Sequence, residues 1–457
     1  MTTAMVNGGS LVELVGGAVP PAVHARGWVN ALRAEGAERF RKVGLPNTTM
    51  EAWRNTNLRE LAEGRFVLAG AGEGSAEAAA LKEKITFGRD AAVEMVFVNG
   101  QFSLELSNFK HVPLGVTICT LGDALACGGV DGAIIERHLG KHASIERNPF
   151  VALNTAFLGD GAYVRIGKGL AVERPIHLVF LGSGEGVVSL PRALVVLEEN
   201  SEGTVVETYA GSDAAAYLAN AVTEIVVGKG ARLDHCKVNQ EGLLAFHIAT
   251  MQVNLAEHAS FVSHSATLGG RLTRNDLNCY MGGEFAEATV NGVVVLSGEQ
   301  HCDNHTLLHH EKGNCPSHEL YKHVLADKSS GVFKGQIYVQ KDAQKTDSKQ
   351  TSKTLLLSNS AVMNSQPALE IYADDVKCTH GSTIGPVDEG AVFYLQSRGL
   401  NYETARALLT YAFAADITRR IRVGPVRARI EDFMSARQGL PQDLRITEGA
   451  GAQVAMI

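Results

Sequence analysis

Short strand-like segments recur at a nearly constant interval through the middle of the chain. Clusters of small or charged turn residues fall near positions 168, 200, 229, 258, 284, 313, 342 and 374, so the interval is 26 to 32 residues. A fixed period of this size indicates stacked structural units. Each interval contains at least two β-branched runs and no helical pattern, which favours a β-helix over leucine-rich or ankyrin repeats. The alternative is a large antiparallel sandwich or barrel, whose turns are expected about every 8 to 12 residues.

The repeat and its flanks predict a mainly β protein, with a right-handed parallel β-helix core between helical N-terminal and C-terminal regions. We assign residues 1–110 to a mainly helical N-terminal region, 111–385 to the β-helix core and 386–457 to a C-terminal helical region. Val195 and Val226 lie in β-branched runs of the core. Both are expected to face its interior.

Helical patterns appear on both sides of the repeat. A helix is expected from about residue 20 to residue 41, before the breakers Gly44 and Pro46. After Asn401, apolar residues recur at helical spacing as far as Ile421. The Gly424-Pro425 pair is expected to end that helix.

Charge and cysteine content argue against several classes of partner. The 457-residue chain has a net charge of −7 and no long basic run, so nucleic acid and anionic membranes are poor partners. Seven cysteines, an odd number without paired short spacings, indicate reduced thiols rather than a disulfide framework. The N-terminus lacks a basic signal-peptide region, and no run approaches the roughly 20 apolar residues of a membrane span. A cytoplasmic location is therefore expected.

The stretch from Gln366 to Gly399 carries the strongest candidate site. Its first part alternates like a strand, and Cys378 and His380 are two residues apart, so their side chains share one face. A thiol and an imidazole are both ligands for soft or borderline metals. The alternative is a small buried cysteine beside a hydrogen-bonded histidine, because cysteine is among the most buried residue types.

The same stretch predicts where the strand gives way to a helix. Gly381 is expected to end the strand. Asp388 is a suitable N-cap for the following helix, and Gly399 suits the position just past its end.

A second candidate is the histidine-rich segment from His301 to His323. It contains Cys302-x2-His305 and Cys315-x2-His318, which resemble zinc-binding spacings without any Cys-x2-Cys pair. One interpretation is a structural zinc site in a homodimer. The other is a polar, hydrogen-bonded face of the β-helix, since several of these residues would lie on different strands or opposite faces.

A carbohydrate-active β-helix enzyme is a further alternative. Its chemistry would need two carboxylates that converge on one groove. Asp374 and Asp375 are adjacent, and Asp342 and Asp347 are five apart, so each pair would point to opposite faces of a continuous strand. The sequence therefore gives this reading no positive support.

Several segments resemble the SufB/SufD family of iron–sulfur cluster assembly scaffolds. The strongest is YADDVKCTHGSTIGPVDEGAVFYLQSRGL at 372–400, and AFAAD at 412–416 extends it. FVALNTAFLGDGAYVRI, PRALVVLEENSEGTVVE and FKGQIYVQKDAQKTDSKQTSKTLLLS precede it in the same order as in the family. Gln366 and Lys353 depart from the family pattern, which often has Lys and Asn there, and Asn55 replaces a usual Tyr. None of these departures touches Cys378 or His380.

The resemblance implies a non-enzymatic scaffold with a β-helix between helical ends. It implies that the β-helix pairs with a SufB chain, and that His380 takes part in cluster building at that interface, with Cys378 as a helper. Iron–sulfur clusters are normally held by about four ligands, mostly Cys. Two ligands from this chain would therefore be completed by the partner, and the cluster would be transient, with no cofactor bound permanently.

The resemblance also implies that the C-terminal helices bind the ATPase SufC. The amphipathic pattern after Asp388 agrees with a docking role, although such a stripe could instead pack the helices together. The residues expected at this surface are Phe393, Tyr394, Arg398, Leu408, Leu409 and Phe413. A homodimer of the isolated chain is left open.

Overall fold

The computed structural model describes residues 9–16, 26–70 and 74–440. Helices precede and interrupt the first strands of the chain. They are α1 (Leu11–Gly16), α2 (Gly27–Val43), α3 (Arg59–Glu63), α4 (Ser75–Ile85), α5 (Leu121–Cys127), α6 (Gly129–His138) and α7 (Pro149–Ala156). Two short 3-10 helices lie at Glu51–Trp53 and Gly88–Asp90. Three helices follow the last strand: α8 (Glu389–Ser397), α9 (Tyr402–Thr418) and α10 (Gly424–Arg437).

Short strands make up most of the chain between these helices. The early strands are β1 (Val67–Leu68), β2 (Val93–Val98), β3 (Gln101–Phe102), β4 (Val116–Thr120), β5 (Ala162–Ile166), β6 (Ile176–Gly182), β7 (Val187–Ser189) and β8 (Arg192–Leu197). The middle strands are β9 (Glu202–Gly211), β10 (Leu218–Val227), β11 (Arg232–Gln240), β12 (Phe246–Leu255), β13 (Ser260–Thr267), β14 (Leu272–Met281) and β15 (Glu287–Leu296). The last are β16 (His301–His310), β17 (Pro316–Leu325), β18 (Ser330–Val339), β19 (Asp347–Leu356), β20 (Val362–Ser365), β21 (Ala368–Ile371) and β22 (Lys377–Gly385).

Two largely parallel sheets form the faces of a β-helix. Even-numbered strands from β8 to β18 are neighbours in a 12-stranded sheet, and odd-numbered strands from β9 to β19 are neighbours in a 10-stranded sheet that ends at β22. Each turn therefore gives one strand to each sheet, and there are about 8 turns. Phe246 pairs with Leu272, and Leu272 pairs with His301, so these turns are offset by 26 and 29 residues. The predicted fold class and period are confirmed.

One corner of the β-helix explains the sequence period. Six successive turns place a residue of positive φ there, between 56° and 66°: Asn200, Gly230, His258, Phe285, Asn314 and Lys345. The backbone N–H of each donates to a carbonyl of the next turn, as from Asn200 to Lys229 at 2.8 Å. Glycine and asparagine tolerate this left-handed conformation best. Small and polar turn clusters therefore mark this corner in the sequence.

Residue parity decides which side chains face the interior. Val195 is fully buried in the interior cluster, as predicted. It pairs with Ile225, which is also an interior residue. Val226 instead packs against the outer cluster that contains residues of α5 and α6. The prediction for Val226 was wrong because a shift of one residue moves a side chain to the opposite face of a strand.

Helices cover the outer faces of both sheets. Phe40 of α2 and Phe150 of α7 share a cluster with Ile248 of the 12-stranded sheet. Tyr411 of α9 and Ile430 of α10 belong to the cluster on the outer face of the 10-stranded sheet. Strand β8 is buried along its whole length, whereas β19 alternates between buried and more exposed residues. The strands therefore read as continuous apolar runs only where a helix covers the outer face.

A buried ion pair joins the helical layer to the 12-stranded sheet. Arg192 of β8 is 1% exposed and its Nη2 lies 2.5 Å from Oε2 of Glu224 on β10, which is fully buried. The same carboxylate accepts backbone N–H groups of Gly140, His142 and Ala143 after α6, at 2.8 to 3.1 Å. The charged pair therefore also holds the loop that follows α6 against the sheet.

Helix boundaries differ from the predictions in two places. Residues 20–25 of the predicted first helix lie outside the described residues, and the observed helix is Gly27–Val43. Gly424-Pro425 does not end the long C-terminal helix, which stops at Thr418. The pair instead begins α10, where proline is tolerated because the first helical N–H has no partner within the helix.

The predicted three-part division of the chain remains a prediction. Helices α5 to α7 lie within 111–385, and β2, which precedes residue 110, pairs with β6 of the core. In the described part of the chain, no helix combines the length and the apolar character needed to cross a membrane.

Candidate functional site

The last turn of the β-helix leaves strand edges open. β22 pairs with β19, and among the described strands none pairs with its other edge. Lys377 donates its N–H to the carbonyl of Thr346, on the β19 side. Because successive residues alternate along a strand, the N–H groups of four residues point to the open edge. They are Cys378, His380, Ser382 and Ile384. Such an edge is a template for pairing with another chain.

Cys378 and His380 lie on the interior face of this last turn. Cys378 pairs with Ser348 and packs against the interior cluster, and His380, two residues on, pairs with Gln350. On the same face, the Ser382 hydroxyl lies 2.8 Å from that of Ser365 in the opposite sheet. The structure therefore brings the predicted thiol and imidazole together at the mouth of the β-helix.

The strand is longer than predicted. Gly381 does not end β22, since it pairs with Thr351 and the ladder continues to Gly385. Pro386, which has no N–H to donate, follows directly. Before β22, the strand pattern is interrupted between Ile371 and Lys377, where the chain turns from one sheet to the other. The period-two pattern from 369 to 380 therefore spans two strands rather than one.

The two candidate ligands have different surroundings. His380 is exposed, whereas Cys378 is half-buried, and burial raises the pKa of its thiol. The thiol is therefore protonated at neutral pH and would become a thiolate ligand only when a metal displaces the proton. Across residues 9–16, 26–70 and 74–440, no group of three or more His, Cys, Asp and Glu side chains is arranged to hold a metal ion. Cys378 and His380 offer two ligands.

Helix α8 follows the site and presents part of the predicted docking surface. Asp388 accepts the N–H of Gly390 as its N-cap, and Gly399 has φ of 99° just past its end, as predicted. Phe393 is 72% exposed and Tyr394 is 47% exposed. The Arg398 guanidinium lies over the Tyr394 ring at 5.4 Å. Large exposed apolar side chains that lie together mark an interaction site.

The other three predicted docking residues are engaged within the chain. Leu408 and Phe413 of α9 pack against the outer face of the 10-stranded sheet, and Leu409 packs against the cluster under α8. Lys322 of β17 lies 4.6 Å from the centre of the Phe413 ring. The structure therefore separates the six residues into an exposed group on α8 and a packed group on α9.

The histidine-rich segment forms a hydrogen-bonded face. Cys302 is buried in the interior cluster, whereas His305 points outward and lies 3.0 Å from Asp303. His301, also outward, contacts the hydroxyls of Thr56 at 3.0 Å and Ser330 at 2.7 Å. The Cys-x2-His spacing places its members on opposite faces, so the zinc interpretation is not supported by the described residues.

Two residues beneath His380 were missed by the sequence analysis. Gln350 and Glu319 precede it in the same interior column, one turn and two turns away. Each is nearly fully buried, and Gln350 Nε2 donates to Glu319 Oε2 at 2.6 Å. The sequence repeat could have revealed them, because Gln350 lies about one repeat length before His380 and Glu319 about two.

The fold and this end together define a β-helix protein that presents a thiol and an imidazole at an open sheet edge. The family description "SUF system FeS cluster assembly, SufBD core domain" matches residues 180–413. The description "SufBD protein N-terminal region" matches residues 22–178. The chain therefore belongs to the SufBD family of iron–sulfur cluster assembly proteins.

Relatives with described roles agree with this assignment. The iron–sulfur cluster assembly protein SufD of Escherichia coli is 32% identical over 409 residues, which are 86% of this chain and 92% of that protein. A SufBD family protein of Synechocystis is 32% identical over 415 residues, covering 89% of this chain and 90% of that protein. SufB of Bacillus subtilis is 25% identical over 292 residues, 63% of this chain and 62% of that protein. Within the family, the chain is SufD-like.

Proposed function

We propose that the chain is a cytoplasmic, non-enzymatic scaffold subunit of the SUF assembly system, which pairs with SufB and binds the ATPase SufC. The observation that carries the proposal is the open end of the β-helix, where His380 and Cys378 lie beside the unpaired edge of β22. A nascent iron–sulfur cluster, as cargo, would use these two side chains and further ligands from SufB. No permanently bound cofactor is part of the proposal.

The likeness to a SufB protein supports pairing at this end. Since the B. subtilis SufB sequence aligns with more than half of this chain, a SufB chain is expected to have a comparable β-helix with its own terminal edge. Two terminal edges can join by main-chain hydrogen bonds, which extend the sheets from one chain into the other. A site with two ligands at such a junction would hold a cluster only while both chains are present.

Replacing Ile384 with proline tests the pairing. Its N–H points away from β19, so Ile384→Pro should preserve the pairing of β22 within the chain while removing a donor from the open edge. We expect at least about a tenfold loss of co-purification with tagged SufB, since a proline on the edge also obstructs the incoming strand. Ile384→Val is the matched control and should co-purify normally. Wild-type recovery of Ile384→Pro would contradict pairing at this edge.

We further propose that the exposed surface of α8 contacts SufC. Phe393, Tyr394 and Arg398 are its direct contacts, whereas Leu408, Leu409 and Phe413 hold α9 in place beneath it. Exposed aromatic and arginine side chains are the residue types that most often dominate binding energy at interfaces. A deletion of α9 and α10 would also uncover the apolar outer face of the 10-stranded sheet. Substitutions on α8 therefore test SufC binding more cleanly than a deletion.

The double variant Phe393→Ala/Tyr394→Ala should bind SufC at least about tenfold more weakly, because aromatic anchors are removed without disturbing the core. Binding is measured by titrating SufC into the purified chain, with and without SufB. The control is Leu114→Ala, which removes a leucine that is 98% exposed in the N-terminal part. Unchanged SufC affinity of the double variant would place the docking surface elsewhere.

A further inference from the structure

Two polar stretches of the interior are separated by the apolar positions of β15: one at β11 and β13, and one in the last two turns at the open end. On β15 the interior positions are apolar or lack a side chain: Ala288, Val290, Gly292 and Val294. On β17 the corresponding positions hold Ser317, Glu319, Tyr321 and His323. On β19 they hold Ser348, Gln350, Ser352 and Thr354, all buried. Burying polar groups costs free energy unless they are hydrogen-bonded, so the groups nearest the open end are expected to have hydrogen-bond partners.

One interior column leads directly to His380. Going inward from the mouth, it contains His380, Gln350, Glu319 and then Val290. Neighbouring strands are about 4.8 Å apart, so consecutive side chains in this column are within reach of one another. Gln350 is 1% exposed and Glu319 is 3% exposed, whereas His380 is exposed. The polar part of the column is therefore three residues deep.

The hydrogen bonds of this column leave one oxygen of each buried side chain unpaired. Gln350 Nε2 donates to Glu319 Oε2 at 2.6 Å, which fixes the orientation of the amide. The remaining polar atom of each side chain, Gln350 Oε1 and Glu319 Oε1, is buried and has no hydrogen-bond partner among the described residues. Gln350 Oε1 is the one nearer the mouth. A buried acceptor left unpaired is costly. The next side chain in the column toward the mouth is the imidazole of His380.

The buried carboxyl of Glu319 is costly to ionise. Burial raises the pKa of its carboxyl to about 7, so ionising it in the folded protein costs free energy at neutral pH. A neutral amide of the same size would fill the same space without that cost. Glu319 nevertheless accepts the hydrogen bond that orients Gln350, which suggests a role in the adjacent site.

We propose that Gln350 and Glu319 are positioning residues for His380, with Gln350 Oε1 accepting the N–H of one imidazole nitrogen when the other nitrogen binds iron. This inference rests on the proposed function of His380. Metal-binding histidines commonly donate their second ring N–H to a carbonyl or carboxylate, which fixes the tautomer and the ring orientation. Here the acceptor is an amide oxygen, and Glu319 holds that amide in place.

The experiment uses the complex of this chain with SufB and SufC, purified without oxygen. Gln350→Leu removes the acceptor and should lower the iron content, and shorten the half-time of iron loss to a chelator, by at least about fivefold. Gln350→Glu retains an acceptor oxygen and should recover most of both values. Glu319→Gln should fall between Gln350→Leu and the wild type without lowering the thermal stability of the isolated chain. Ser352→Ala, two residues along the same strand, is the control and should behave as the wild type.

The possible results distinguish this inference from the proposed function. Loss of iron in His380→Ala but wild-type iron and release kinetics in Gln350→Leu would overturn the positioning role alone. Equal losses in Gln350→Leu, Gln350→Glu and Ser352→Ala would also overturn it, because they would indicate a general effect on interior packing. Full iron loading of His380→Ala would reject the proposed function itself.

Discussion

Replacing His380 with alanine is expected to leave the complex with SufB and SufC assembled but to remove most of its iron and acid-labile sulfide. The imidazole is exposed at the mouth of the β-helix and makes no hydrogen bond within the described residues, so folding should not depend on it. Surface substitutions of this kind usually change stability by less than about 0.5 kcal/mol. Cluster assembly would lose one of the two ligands that we propose for this chain.

The neighbouring residues make the His380 prediction specific. Cys378→Ser should have a smaller effect if Cys378 is only a helper, and a comparable one if it binds iron directly. Thr379→Ala is the matched control, because its side chain points to the other face of β22. Iron and sulfide are measured on the purified complex, together with rescue of growth in a strain that lacks the chromosomal copy. A His380→Ala complex with full iron and sulfide content, together with full rescue of growth, would contradict a role in cluster assembly. His380 and Cys378 would then be a histidine beside a packed cysteine.

Replacing Arg192 with alanine is expected to lower the free energy of unfolding by about 3 to 5 kcal/mol, the usual cost of leaving one partner of a buried ion pair alone. Glu224 would remain fully buried among the backbone N–H groups of Gly140, His142 and Ala143 without its guanidinium partner. The measurement is urea unfolding of the isolated chain at pH 7. Lys229→Ala is the control, since it breaks an ion pair with Glu257 in which both side chains are about half exposed. That change should cost less than about 1 kcal/mol.

The Arg192 prediction has a defined pH dependence. Burial alone would raise the pKa of Glu224, but Arg192 and the three backbone N–H groups outweigh burial and hold the pKa below its ordinary value. A carboxyl with a lowered folded pKa stabilises above its unfolded value of about 4.3 and loses that contribution as the pH falls through the folded value. Removing Arg192 raises the folded pKa of Glu224, and the unfolded state is common to both proteins. The difference between wild type and Arg192→Ala should therefore be largest above the variant's folded pKa and shrink as the pH falls to the lowered wild-type value. A difference independent of pH would contradict the role assigned to the charged pair.

The repeat was the most informative feature of the sequence because it has a local physical cause. A left-handed corner residue recurs in six successive turns, and three of the six are the glycine or asparagine that tolerate this conformation best. The repeat period does not fix the register in which the strands pair. The number of residues between paired positions varies from turn to turn. An error of one residue in this number assigns a side chain to the wrong face of the strand, as at Val226.

The candidate site was predictable only in part. The shared face of Cys378 and His380 follows from strand geometry alone, and the structure agrees. The column of Gln350 and Glu319 depends on exact pairing between strands of successive turns, which the repeat period gives only approximately because the offsets vary. The docking residues on α9 were predicted from an apolar stripe, and such a stripe cannot reveal whether it meets a partner or the chain's own sheet.

Co-expression of this chain with SufB and SufC, followed by purification without oxygen through a tag on this chain, tests the central claim most directly. The claim is that the open end of the β-helix is completed by a second chain, and that a cluster forms between them. The account predicts that SufB and SufC co-purify with the tagged chain and that the brown complex contains iron and acid-labile sulfide. A tagged chain that purifies alone and colourless, while SufB and SufC are present in the same cells, would contradict it.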